Sequence, residues 1–220
     1  MMSINLTEVF THGLGVAISP LVIIALVMIL LSPRAKEKGI AFLLGWLFGL
    51  GALGGIIFMI GGFSSMGHRP GIHGALSLIF GLLLFALALR SWKHRKATQK
   101  KSRWLTAADS FTPLQAGAAG LFFAAIYPKN LILTAAMASE LAATENASHL
   151  GDYGLFIVIA SLTIASPVLL YLVAGKAIQP RLDRSKDWLV LHSREILIVL
   201  LCFFGVKLSI RGLFLLTGGG

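Results

Sequence analysis

Three cations fall inside otherwise apolar runs: Lys129 in AAIYPKNLILTAA, and Lys207 with Arg211 in FFGVKLSIRGLF. A charge in the hydrocarbon core costs at least about 2.5–3.5 kcal/mol on insertion, so such a residue pairs, faces water or binds something. Glu8, Glu140 and Asp152 stand at the ends of their apolar runs, and the other acidic residues fall in the connecting loops. The expected partner of Lys129 and Lys207 is therefore an anion brought by a substrate: a carboxylate, a sulfate or a phosphate. Two bland readings stand beside it. Lys129 could cap a broken helix end, and Lys207 could sit neutral in an apolar pocket or under carbonyls freed near Pro20 or Pro167. Arg211, close to the end of its run, is expected to snorkel to the interface.

The neighbours of Lys129 sharpen the expectation. Tyr127-Pro128-Lys129-Asn130 interrupts one apolar run and Ser19-Pro20 interrupts another, each near the middle of its run. Proline removes a helical N–H and clashes with the carbonyl four residues back, which frees backbone groups that need new partners in lipid. Ser19 and Asn130 are suited to supply them, and a helix N-terminus opened at Pro128 would add its dipole to an anion site. Ser166-Pro167 is a third interruption, read as a kink first and a site second. The candidate substrate-binding set is thus Lys129, Asn130, Pro128, Tyr127, Ser19, Pro20 and Lys207, with Ser166 and Pro167 as outliers.

Other chemistry finds little support. The histidines form no HxxxH or HxxE pair, so no metal and no cofactor is expected. No GxSxG, Walker A or catalytic carboxylate pair occurs, so the chain is not read as an enzyme. Cys202 is the single cysteine, which rules out an intrachain disulfide or a CxxC redox pair.

The elements that would hold these residues follow from composition. Charged residues make up 13% of the 220 positions, against roughly 25% in soluble domains, and mean hydropathy is +0.84. Apolar runs long enough to cross a bilayer lie near 10–31, 40–61, 73–90, 114–139, 153–174 and 195–216, and they lack the alternation of barrel strands. The expected class is an all-α integral membrane protein with six spans, the first and fourth broken. With no Lys or Arg before Arg34, a basic secretory leader is not indicated and the first span is expected to be retained.

Lys and Arg number three in 32–39, seven in 90–113 and five in 175–195, against one in 62–72 and none in 1–13 or 140–152. This bias predicts both termini outside and the basic loops in the cytoplasm. The same bias accounts for the net charge of +10 without a nucleic-acid partner, and loop 90–113 is expected to meet anionic headgroups. Three spans precede that loop and three follow it. Residues 1–90 and 114–220 are therefore expected to form inverted three-helix halves joined by a basic segment 91–113, with a site where the interrupted helices meet. In the second span Gly45/Gly49 and Gly51/Gly55 have small-xxx-small spacing, read as internal packing, with a homodimer seam as the weaker alternative.

The stretches AISPLVIIALVMILLSPRAKEKGIAFLLGWLFGL (17–50), YPKN (127–130), SPVLLYLVAG (166–175) and DWLVLHSREI…FFGVKL (187–208) resemble the peptidoglycolipid-addressing, or sulfolipid-addressing, family, a branch of the LysE exporter superfamily. The likeness runs over nearly the whole chain. It implies a six-helix exporter of lipids or glycolipids in the bacterial inner membrane. The family's fourth-span motif is commonly Asn-Pro-Lys-Asn, and Tyr127 stands at its first place here, so the substrate is expected to differ from that of other members. The leading expectation is a secondary transporter or flippase that exports an anionic lipid by alternating access. A LysE-like exporter of a small amino acid or anionic solute is the second reading, and a non-transporting membrane scaffold that recruits a partner through loop 90–113 is the third.

Overall fold

A computed structural model describes residues 6–63, 70–93, 110–142 and 149–217. Most of the basic segment 91–113, together with His68 and Arg69, lies outside these residues. Every element is helical, with no strand among the described residues: α1 Leu6–Ala17, α2 Pro20–Leu31, α3 Ala35–Phe63, α4 Pro70–Lys93, α5 Pro113–Ala125, α6 Pro128–Ala142, α7 His149–Ala174, a 3-10 turn Gly175–Ile178, and α8 Gln179–Leu216.

Three runs are long and apolar enough to cross a membrane: Ala35–Ile60, Gly74–Lys93 and Leu150–Leu216. Two bent pairs, α1 with α2 at 53° and α5 with α6 at 59°, raise the number to five when each pair is one span. The bends fall at Pro20 and Pro128, as the proline argument requires. The last run comprises α7 and α8, and Gly175, with φ 56°, separates them. Left-handed backbone at that point suits a residue without Cβ.

The chain departs from expectation at α8. Residues 179–194 were expected within a loop, yet they form the first half of a 38-residue helix. At 1.5 Å per residue that helix is about 57 Å long, well beyond a hydrocarbon core of about 30 Å. Its charged first half is exposed and braced along one face, with Lys186 Nζ donating to Asp183 Oδ1 at 2.8 Å. Charge content marked this segment as outside lipid, but i,i+3 pairing keeps it helical.

Packing is dominated by three helix pairs: α4 against α8, α3 against α5, and α1 against α7, with α2 lying against α8, α3 and α7. α2 is apolar on all sides, and Val22, Ile24, Ala25, Leu26, Val27, Ile29 and Leu30 are buried, as suits a helix surrounded by others. Close approach depends on glycine. A Cβ on Gly45 would meet Gly117 O of α5 at 2.0 Å, and one on Gly120 would meet Phe42 O of α3 at 2.1 Å. Gly81, Gly205 and Gly212 serve the α4–α8 seam in the same way. Gly49 also faces α5, whereas Gly51 and Gly55 meet nothing within 4 Å. The small-residue spacing in α3 thus marks an internal seam on one of its two faces. Polar ties add to it: Trp46 Nε1 donates to Ser161 Oγ at 3.2 Å, and Tyr153 Oη to Leu50 O at 2.6 Å.

Candidate functional site

Breaking α1 from α2 strands the last carbonyls of α1, which have no helical N–H ahead of them. Each finds a donor. Ile18 N bonds Leu14 O at 2.9 Å, and Ser19 Oγ reaches Val16 O at 2.7 Å. Ala17 O accepts from Thr163 Oγ1 of α7 at 2.6 Å and from Ser19 N at 2.9 Å. Gly15 O and Ile18 O both accept from Lys129 Nζ, the latter at 3.1 Å. Lys129, at the second position of α6, is only 2% exposed. Its ammonium sits against the negative end of the α1 dipole.

The second break is closed from within and from the first. Ile126 N and Tyr127 N both bond Phe122 O at 2.9 Å, and Asn130 Nδ2 donates to Phe123 O at 2.9 Å. Ser19 Oγ also lies 3.0 Å from Asn130 Oδ1. The two interruptions are therefore one structure, with Ser19, Lys129 and Asn130 buried at its centre. Pro20 and Pro128 begin the second halves of the two broken runs, and Tyr127 packs edge-on against Phe123 at 6.0 Å.

In this structure Lys129 is completed without a substrate anion. Protein carbonyls at a helix end take that place, the reading set beside the anion as the bland alternative. Ser166 is exposed, and Pro167 lies inside the unbroken α7. Neither reaches a break. Thr163, one turn earlier, does, and sequence reasoning missed it: a threonine in an apolar helix has no distinguishing neighbours.

Lys207 requires a correction. Its Nζ donates to Glu8 Oε2 at 2.6 Å, so a carboxylate partner exists within the chain. Arg211 does not simply snorkel. Its Nη1 lies 2.9 Å from Glu140 Oε2 and 3.7 Å from Glu8 Oε2. His12, fully buried, joins them, with Nδ1 3.0 Å from Glu8 O and 3.6 Å from Glu8 Oε2. Glu8 and Gly15 are seven positions apart on α1, about 10 Å along its axis. Lys129 and Lys207 thus occupy different levels and do not share one anion site.

Glu8, His12 and Glu140 bring one potential ligand atom each to within 4.8 Å of one another. Two carboxylates and an imidazole at that spacing can hold a divalent cation. Here Lys207 and Arg211 already lie on the same carboxylates, so two negative charges are matched by two positive ones. The donor set does not fit a metal.

α1 and α6 are consequently clamped at both ends. Lys129, at the start of α6, grips the end of α1, while Arg211 links Glu140, near the end of α6, to Glu8, near the start of α1. Removing one member of the polar end should be felt. Lys207→Met is expected to lower stability by about 1–2 kcal/mol, a buried-pair cost discounted for partial exposure. In thermal melts of purified protein, adding Glu8→Gln should recover part of that loss, and additive losses would contradict the pairing.

The family model described as Sap, sulfolipid-1-addressing protein, matches residues 9–214. No curated protein and no solved structure matches the chain.

Proposed function

Because the chain belongs to the sulfolipid-1-addressing protein family, we propose that it is a secondary transporter or flippase that exports an anionic lipid or glycolipid across the bacterial inner membrane. The observation that carries this reading is the interlock of two broken runs, in which Lys129 bonds Gly15 O and Ile18 O and Ser19 meets Asn130. Interrupted helices meeting at depth are where transporters place their sites. An ammonium offers three donors, and at rest two of them serve carbonyls. Separation of α1 from α6 would release that cation to a sulfate, phosphate or carboxylate headgroup. The headgroup replaces the helix end as its partner, and closure restores the carbonyls.

Counting α7 and α8 as separate crossings gives six spans, both broken ones opening a half. Helix pairing supports inverted repeats. Exchanging spans one, two and three for four, five and six converts the α3–α5 pair into α7–α1. It converts α2–α8 into α6–α4 and maps α4–α8 onto itself, and each of these pairs is in contact. Halves related by such an exchange are what alternating access uses, although the α1–α6 contact has no α2–α5 counterpart of similar extent. The positive-inside bias supports a reading with both termini, and with them the Glu8–Glu140 end, outside.

Mass spectrometry of protein extracted in mild detergent tests the substrate class. An anionic lipid should copurify with the wild type and be depleted from Lys129→Met. A small anionic solute without lipid would shift the reading to a LysE-like solute exporter. Neither lipid nor solute, together with no movement of anionic lipid in reconstituted vesicles, would overturn transport.

A further inference from the structure

The account so far lacks an energy source, and the second cluster offers one. His12 is fully buried and its Nε2 has no hydrogen-bond partner. Glu140, with a side chain 8% exposed, has Oε1 buried and equally without a partner. The potential ligand atoms of Glu8, His12 and Glu140 all lie within 4.8 Å of one another, near enough for a proton to pass directly or through one water. We propose that His12 and Glu140 form a proton-binding site that couples lipid export to the inward movement of protons. The proposal rests on the transport reading above.

Charge and access favour a proton over any larger ligand. With His12 neutral, Glu8 and Glu140 balance Lys207 and Arg211, so the cluster carries no net charge. A proton at His12 Nε2 or on the Glu140 carboxylate makes it positive and leaves one cation without its partner. Every charged group that the described residues bring to this site takes part: Glu8 from α1, Glu140 from α6, Lys207 and Arg211 from α8. From α7, Phe156 and Ile159 face Gly13, and Asp152 lies one turn beyond Phe156. Exposure is graded from Arg211, Glu8 and Lys207, at 33%, 27% and 25%, down to Glu140 and His12 at 8% and 0%. In this proposal the proton enters from the more exposed side of the cluster, past Arg211, Glu8 and Lys207.

Coupling follows from the clamp. Arg211 holds the end of α6 to the start of α1, and a proton on Glu140 removes the charge that it holds. His12 is one helical turn from Gly15, the carbonyl under Lys129. Protonation from the outside would loosen the outer clamp and free α6 from α1, so that a headgroup already held by Lys129 leaves outward and the proton takes over the open state. Return of the proton to the cytoplasm would restore both contacts. No bond other than those to the proton is made or broken.

The test uses the full chain in vesicles loaded with a pH-sensitive dye and containing fluorescent phosphatidylglycerol, with dithionite reporting the leaflet. With valinomycin and equal potassium on both sides holding the membrane potential at zero, one pH unit across the membrane, acidic outside, should bias the lipid outward about tenfold at one proton per lipid, and the bias should collapse as the dye records proton entry. The bias should vanish in His12→Gln and in Glu140→Gln. Lipid that equilibrates without bias, or follows sodium in place of protons, would overturn the coupling and leave transport standing. A bias that persists in both variants would overturn the assignment to these residues. Should no lipid move at all, transport fails and the site is judged alone by nitrogen NMR of labelled histidine. His12 must then titrate with a midpoint that moves in Glu140→Gln, and a resonance blind to pH contradicts the proposal.

Discussion

Lys129→Met is expected to lower stability by about 2–3 kcal/mol and to reduce lipid movement in reconstituted vesicles to the protein-free background. Methionine fills a similar volume but donates nothing, so Gly15 O and Ile18 O lose their shared partner. A buried carbonyl left without a donor costs about 1–3 kcal/mol, and two are exposed by this change. Removing an intramembrane cation returns part of that sum, since the lysine was costly to bury. The carbonyls outweigh it because they end a helix, and the nearby hydroxyls of Ser19 and Thr163 already serve Val16 O and Ala17 O. Thermal melting in detergent measures the stability term, and a variant as stable as wild type would mean that the cap contributes little.

Gly120→Ala is expected to cost about 3 kcal/mol or more, and Gly45→Ala a similar amount. The added methyl carbon would lie 2.1 Å from Phe42 O or 2.0 Å from Gly117 O. Both obstacles are backbone atoms, which cannot rotate aside, so α3 and α5 must separate along their length. Overpacking in a well-filled core costs about 1–3 kcal/mol when side chains can adjust, and here they cannot. Gly51→Ala and Gly55→Ala are the controls within the same helix. They enter open space, and alanine's better helix propensity, about 1 kcal/mol, should leave them at least as stable as wild type. Equal losses at all four positions would contradict the α3–α5 seam.

What could be read from the chain was what depends on near neighbours. Pro20 and Pro128 announced the two bends, because each stands beside polar residues able to take up the backbone groups it frees, whereas Pro167 sits inside an unbroken α7. Apolar runs announced the membrane class, because hydrocarbon thickness sets their length. The partners of the cations were another matter. Lys129 bonds carbonyls 114 and 111 positions earlier, and a carbonyl has no letter of its own in a sequence. Lys207 meets Glu8 across 199 positions. A signal for that pair did exist: two carboxylates stood at the ends of the first and fourth spans, and two cations on the sixth. Treating span ends as outside the bundle hid it, although a lysine nine residues from the end of α8 reaches the same level as a glutamate two residues into α1. The helical start of α8 was missed for a similar reason. Charge reports where a segment lies and says little about whether it is helical.

Magic-angle-spinning NMR of the protein in lipid vesicles tests the central claim most directly, with nitrogen-15 in the lysine side chains and carbon-13 in the glycine carbonyls. The account predicts a dipolar contact between a lysine Nζ and the Gly15 carbonyl carbon that disappears in Lys129→Met. No such contact in the unliganded protein, with Lys129 Nζ coupled instead to the phosphorus of a lipid headgroup, would contradict it.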